Sequence, residues 1–188
     1  EILFTGLPKL FTPLSTLSLE VSGIVQTQNL YGGGYTGKNV ILGFLNTGID
    51  YRHPAFLRSN GQSRILSIWD QTDRTGTPPP QFPYGSLYEK SDLDDALRSR
   101  DPLSVVPVTD PDGHGTYVAG VAGGTPNASA GFLGAAPEAD FAVVKLKPAK
   151  QNLKDFYLVS TNAPVFEEDD LSELFYRQNG EDWTYELK

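Results

Sequence analysis

The sequence predicts an α/β domain built on a mainly parallel sheet, and three segments carry that prediction. Asn39-Val-Ile-Leu-Gly-Phe-Leu45 is a continuous apolar run bounded by turn-forming residues, the pattern of a strand buried on both faces. Gly113–Gly124 spaces the small residues Val118, Ala119, Val121 and Ala122 as a helix lying close on a sheet would. Ala139-Asp-Phe-Ala-Val-Val-Lys-Leu146 reads as a second buried strand. Strand, helix and strand in that order form a βαβ unit.

The remaining elements fall around that unit. With 188 residues the chain suffices for one domain with a substantial core and is short for two. Residues 1–28 read as an arm interrupted by Pro8 and Pro13, leading to a helix near Leu17–Leu30, and Gly32-Gly33-Gly34 breaks the chain before the first strand. Between about 62 and 112 lies a long insertion. It holds a short strand at Ile65-Leu-Ser-Ile-Trp69, a proline-rich stretch (Pro78-Pro79-Pro80, Pro83) and a short helix over Ser91–Arg100. Ser91 is the expected N-cap, with Asp92, Asp94 and Asp95 in the first turn and Arg98 and Arg100 near the end. This stretch reads as a surface excursion rather than a core layer. The domain is expected over 29–171, with Glu167–Asp170 as a solvated acidic run and 172–188 as a tail without clear period.

Composition narrows the function. A formal charge of −8 argues against nucleic acid as partner, since phosphate binding needs clustered Lys and Arg. No apolar run is long enough to span a membrane. The absence of cysteine excludes disulfides, thiolate zinc sites and a cysteine nucleophile. There is no methionine even at position 1, so the chain reads as a processed product or an excerpt, and Glu1-Ile2-Leu3-Phe4 lacks the basic start of a signal peptide.

Chemistry concentrates in three places. The first strand ends in Asn46-Thr47-Gly48-Ile49-Asp50, with His53-Pro54 shortly after. Gly113-His114-Gly115-Thr116-Tyr117-Val118-Ala119-Gly120 opens the helix, and Gly134-Ala135-Ala136-Pro137 leads into the second strand. Position 46 therefore sits at the carboxyl end of a strand, where open α/β sheets place their working groups. His114 lies at a helix start, flanked by glycines that allow close approach.

Together these segments, from about Leu30 to Leu146, resemble the subtilase family of subtilisin-like serine proteases (peptidase S8). The resemblance implies the N-terminal half of a subtilisin-like three-layer fold, with the long insertion between the two catalytic motifs. It implies a serine endopeptidase acting on peptides or proteins, with His114 as general base and position 46 in the place of the triad aspartate. Arg64-Ile-Leu-Ser-Ile-Trp69-Asp70-Gln71-Thr72 and the insertion are similar to the Csp-type subtilases of clostridia, a group that includes spore-germination proteases and catalytically dead homologues. That likeness implies a secreted, cell-envelope or spore-associated bacterial protein, and makes Ile2–Leu10 a candidate prosegment end.

Two departures stand out. Asn46 keeps the shape of aspartate without the charge that stabilises the His114 imidazolium, and its amide can present NH₂ to Nδ1 and favour the wrong tautomer. No serine, Ser160 and Ser172 included, sits in a Gly-Thr-Ser-Met-Ala-like nucleophile segment. The chain alone is therefore expected to be inactive and to bury an exposed sheet edge against a complementary chain or prosegment. The alternative is a pseudoprotease acting as a binding or scaffold protein. Asp50, four residues past position 46, reads as a turn or cap, and His53 as turn structure beside Pro54. No cofactor is required. The loop Gly123–Gly131, with Asn127, offers carbonyl oxygens to calcium, while Ala55 replaces the calcium-binding aspartate common in the family after His-Pro. Asn127-Ala-Ser129 is also a glycosylation sequon.

Two rival readings fail on their own terms. Gly32-Gly-Gly-Tyr-Thr-Gly37-Lys38-Asn39 nearly spells a phosphate-binding loop, but Asn39 replaces the Ser or Thr that holds Mg²⁺, and the segment precedes a strand instead of following one. A metal hydrolase would recruit Asp50, His53, Asp110, Asp112 and His114, residues that the protease motifs already account for.

Overall fold

The computed structural model describes residues 16–166 except 31, 32, 81, 128, 130, 163 and 164; Ile2–Leu10, Glu167–Asp170, Ser172 and the 172–188 tail lie outside the described residues. The strands are β1 (Ile41–Asn46), β2 (Ile65–Asp70), β3 (Ser86–Glu89) and β4 (Asp140–Lys145). The helices are α1 (Thr16–Val21), α2 (Ile24–Gln28), α3 (Lys90–Arg98), α4 (His114–Gly123) and α5 (Gln151–Phe156), with single 3₁₀ turns at Pro54–Phe56 and Pro102–Ser104. The sheet order is β1-β4-β2-β3, with β4 parallel to both neighbours and β3 antiparallel at the far edge. An open, mostly parallel sheet with its helix between β1 and β4 is the architecture expected from the βαβ pattern.

Register explains the core. Leu42, Phe141 and Ile65 share one rung, and Phe44, Val143 and Ile68 the next. These side chains meet Leu93 and Ala96 of α3, Ala119 of α4, and Tyr51, Phe56, Val106 and Val108 from the connections. α4 lies on β1 and α3 on β2 and β3. The small residues of α4 let it come close: a Cβ at Gly123 would stand 2.9 Å from the Phe141 ring. Beyond α4, the amides of Gly134, Ala135 and Ala136 bond the carbonyls of Gly124, Val121 and Ala122, so the Gly-Ala-Ala-Pro turn ties off the end of the helix.

Four expectations need correction. The segment 62–112 is no mere surface excursion, because β2 is an interior strand with Ile65 and Ile68 fully buried. Its proline-rich part does stay outside the sheet, where Phe82 and Tyr84 pack on Trp69 at ring separations of 4.0 and 5.3 Å. The Tyr88 hydroxyl donates to Asp73 at 2.5 Å. Burial opposes ionisation of Asp73, but hydrogen bonds from Tyr88, Ser86 and Thr75 outweigh it and hold the carboxyl down at about 2.

β1 is not buried on both faces. It is an edge strand among the described residues, and its outward residues Ile41 and Leu45 are 59% and 58% exposed. The first helix is broken in two at Gly23, whose left-handed φ of 80° no helix interior accommodates. Finally, α3 begins at Lys90 with Glu89 as its N-cap, not Ser91: β3 runs straight into the helix, and Asp92 accepts the Glu89 N–H at 2.8 Å. The glycine segment before β1 is a tight connection, as Gly37 packs on Ala136 and Ala139.

Candidate active site

Asn46 is the last residue of β1, on the covered face with Leu42 and Phe44. His114 is the first residue of α4, after Gly113 in a left-handed conformation (φ 81°). The two meet because the backbone has no side chains in the way. A Cβ on Gly115 would overlap the Gly48 carbonyl oxygen and lie 3.2 Å from the Asn46 Cβ. Asn46 Oδ1 stands 2.9 Å from His114 Nδ1, and the same oxygen accepts the Thr47 backbone N–H at 2.8 Å. The imidazole is exposed, so a substrate or a nucleophile can reach it.

The first turn of α4 is held from below. A helix start leaves its first amides without internal partners, and here three are bonded by side chains. The N–H of His114 donates to Asp112 Oδ1 (3.3 Å), that of Gly115 to Thr47 Oγ1 (2.9 Å) and that of Thr116 to Asp110 Oδ2 (2.8 Å). The hydroxyls of Thr47 and Thr116 also donate to Asp110, at 2.7 and 2.6 Å. Burial disfavours a charge on Asp110, yet the bonds from Thr116, Thr47 and Gly113 outweigh it and keep the carboxyl below its ordinary pKa. A carboxylate at this end of a helix is further favoured by the aligned peptide dipoles. Position 46 is thus neutral, and the Asp110 carboxylate is linked to it through Thr47, whose N–H bonds Asn46 and whose hydroxyl bonds Asp110.

Asn46, Lys145 and Asp70 occupy one rung at the carboxyl ends of three parallel strands. Lys145 Nζ pairs with Asp70 Oδ2 at 3.2 Å in largely buried surroundings, so that ammonium is matched within the sheet.

The other residues singled out in the sequence lie elsewhere. Asp50 accepts Arg52 Nε at 2.8 Å and the Arg52 N–H at 3.2 Å, a turn role. His53 caps the Pro54–Phe56 turn, its Nδ1 accepting the Ala55 N–H at 3.2 Å. It lines a groove of about 830 Å³, with Tyr117 and Phe132, that includes neither Asn46 nor His114. Among the described residues no group of three His, Cys, Asp or Glu side chains is placed to hold a metal. In the loop after α4, Asn127 and Phe132 exchange backbone hydrogen bonds of 2.8 and 3.0 Å, and the Ser129 hydroxyl donates to the Asn127 side chain at 2.7 Å.

In the sequence Thr47 and Thr116 carry no cap signal of their own, and Asp110 reads only as a metal ligand. The usual signal for a cap is a polar residue at the N-cap itself, and here that residue is Gly113. Aspartate three residues earlier, with threonine two residues after the histidine, was the available clue.

A family model described as "Subtilase family" matches residues 37–164. Among curated proteins, the chain is similar to Subtilisin-like protease SBT2.2 of Arabidopsis thaliana, at 30% identity over 60% of this chain and 15% of that protein. It is also similar to Subtilisin-like protease PopC of Myxococcus xanthus, at 32% identity over 60% of this chain and 17% of the other. Among solved structures it resembles the Clostridium perfringens CspB protease, with a TM-score of 0.61 and 32% identity over 85% of this chain and 28% of that chain. The chain thus spans less than a fifth of these curated relatives. Because a plant protein stands among them, the likeness does not single out a bacterial source.

Proposed function

The chain belongs to the subtilase family, matched over residues 37–164, and from this we propose that it forms the base-bearing part of a serine endopeptidase acting on peptides or proteins. In this reading His114 takes the proton of a nucleophilic serine and returns it to the leaving amine, while Asn46 orients the ring. The observation that carries it is the 2.9 Å contact between Asn46 and an exposed His114 at the mouth of the strands. The serine would come from a complementary part of the subtilase domain. That part would cover the edge of β1 that no described strand pairs, and the exposed Ile41 and Leu45. Capping of α4 by Asp110 and Thr47 would keep the imidazole in place through the cycle.

The uncharged Asn46 favours one second reading, a pseudoprotease that binds its partner without cleaving it. A fluorophosphonate probe applied to the complete protein separates the two. Labelling of a serine that falls at least ~10⁴-fold in rate in His114→Ala is expected of the enzyme. A protein that never labels is the scaffold, and labelling that ignores His114 would sink the role given to it.

A further inference from the structure

Building on the protease reading, we propose that the Thr47 backbone amide selects the His114 tautomer able to act as a base, which makes Asn46 a competent, uncharged positioning residue. An asparagine can turn either its oxygen or its NH₂ toward a histidine. With oxygen forward, Nδ1 must be the donor, and the lone pair is left on Nε2, the atom that serves the nucleophile in serine proteases. With NH₂ forward, Nδ1 must accept, the proton moves to Nε2 and the base is blocked. Asparagine by itself is indifferent between the two.

Here the choice is made by a third group. The Oδ1 that faces His114 Nδ1 at 2.9 Å also accepts the Thr47 N–H at 2.8 Å. Turning the amide would aim its NH₂ at that N–H, set two donors against each other and strip the backbone amide of its partner. Thr47 is itself held in place. Its hydroxyl donates to Asp110 at 2.7 Å and accepts the Gly115 N–H at 2.9 Å, which ties it to the base of α4. The wrong tautomer expected of an asparagine at this position is therefore disfavoured, and what is lost relative to aspartate is charge alone.

Histidine ¹⁵N NMR of the intact protein at about pH 9, where ordinary imidazoles are neutral, reads the tautomer directly, with the His114 signals identified by their loss in His114→Gln. The expected result is a protonated, pyrrole-type Nδ1 and a bare, pyridine-type Nε2. A shift toward Nε2–H is expected in Asn46→Ala. A bare Nδ1 in the native protein, or no change in Asn46→Ala, overturns the proposal. Kinetics give a second readout: Asn46→Asp should raise kcat/KM about 10²-fold, the size of one to three pKa units of charge stabilisation. A gain near ~10⁴-fold, the penalty of a wrong-tautomer amide, overturns it. If neither protein hydrolyses peptides, the protease reading fails, while the NMR result still decides the tautomer.

Discussion

On the face of the sheet covered by α3 and α4, Ile65, Ile68 and Phe141 are fully buried and Val143 nearly so; on the opposite face, Ile41 and Leu45 of β1 keep more than half their surface in solvent. The side chains are of the same kind on both. What differs is the layer across from them. Over β2 the outer face is closed by Phe82 and Tyr84 folding onto Trp69. Over β1 no described residue does the same for Ile41 or Leu45. The candidate site sits on the covered face, where Asn46 meets His114, and the complementary part of the domain proposed above would pack on the other.

That contrast can be broken by mutation. Ile68→Ala should destabilise the chain by roughly 2–5 kcal/mol, as cavity-forming changes in a packed core do, whereas Leu45→Ala should stay within about 0.5 kcal/mol. Urea denaturation of the two variants measures both, and similar losses would mean that β1 is covered after all. Leu45→Ala made in the complete protein sharpens the point. There the same change should cost about 2 kcal/mol if a further layer buries the side chain, and an unchanged unfolding midpoint would show that the outer face stays wet.

A further effect concerns the cap beneath α4. Asp110→Asn should lower stability by about 1 kcal/mol at neutral pH, the usual size for a lost cap. The sign of the pH dependence follows from the carboxyl being held below its ordinary pKa. Its contribution is full above the unfolded value of about 3.9 and is lost as pH falls through the lower folded value. Thermal melts at about pH 7 and pH 3 should therefore show a smaller acid loss in the variant than in the native chain. Equal losses would remove Asp110 from the account.

Much of the site was legible because its signals are local. An apolar run ended by Asn46 placed β1, one ended by Lys147-Pro148 placed β4, and small residues at helical spacing placed α4. The edge position of β1 was not legible, since a strand apolar on both faces looks the same whether or not its second layer is present. Nor was the interior place of β2, whose short run lies among loop residues with a proline-rich stretch after it. Ser91 looked like a cap because it is the kind of residue that caps, but the chain had already turned at Glu89, fixed by the end of β3.

By itself the sequence determined the βαβ order, the family and the identities of Asn46 and His114, because each rests on short segments of about a dozen neighbouring residues read in order along the chain. The tertiary structure alone decided which face of the sheet is covered, that Asp110 supports the start of α4, and that Asn46 presents oxygen rather than NH₂ to the imidazole. Each depends on contacts between distant parts of the chain: Thr47, whose amide sets the direction of Asn46, is itself held by Asp110 and Gly115, 63 and 68 positions away, and the direction of a hydrogen bond is settled only when all its competitors are in place.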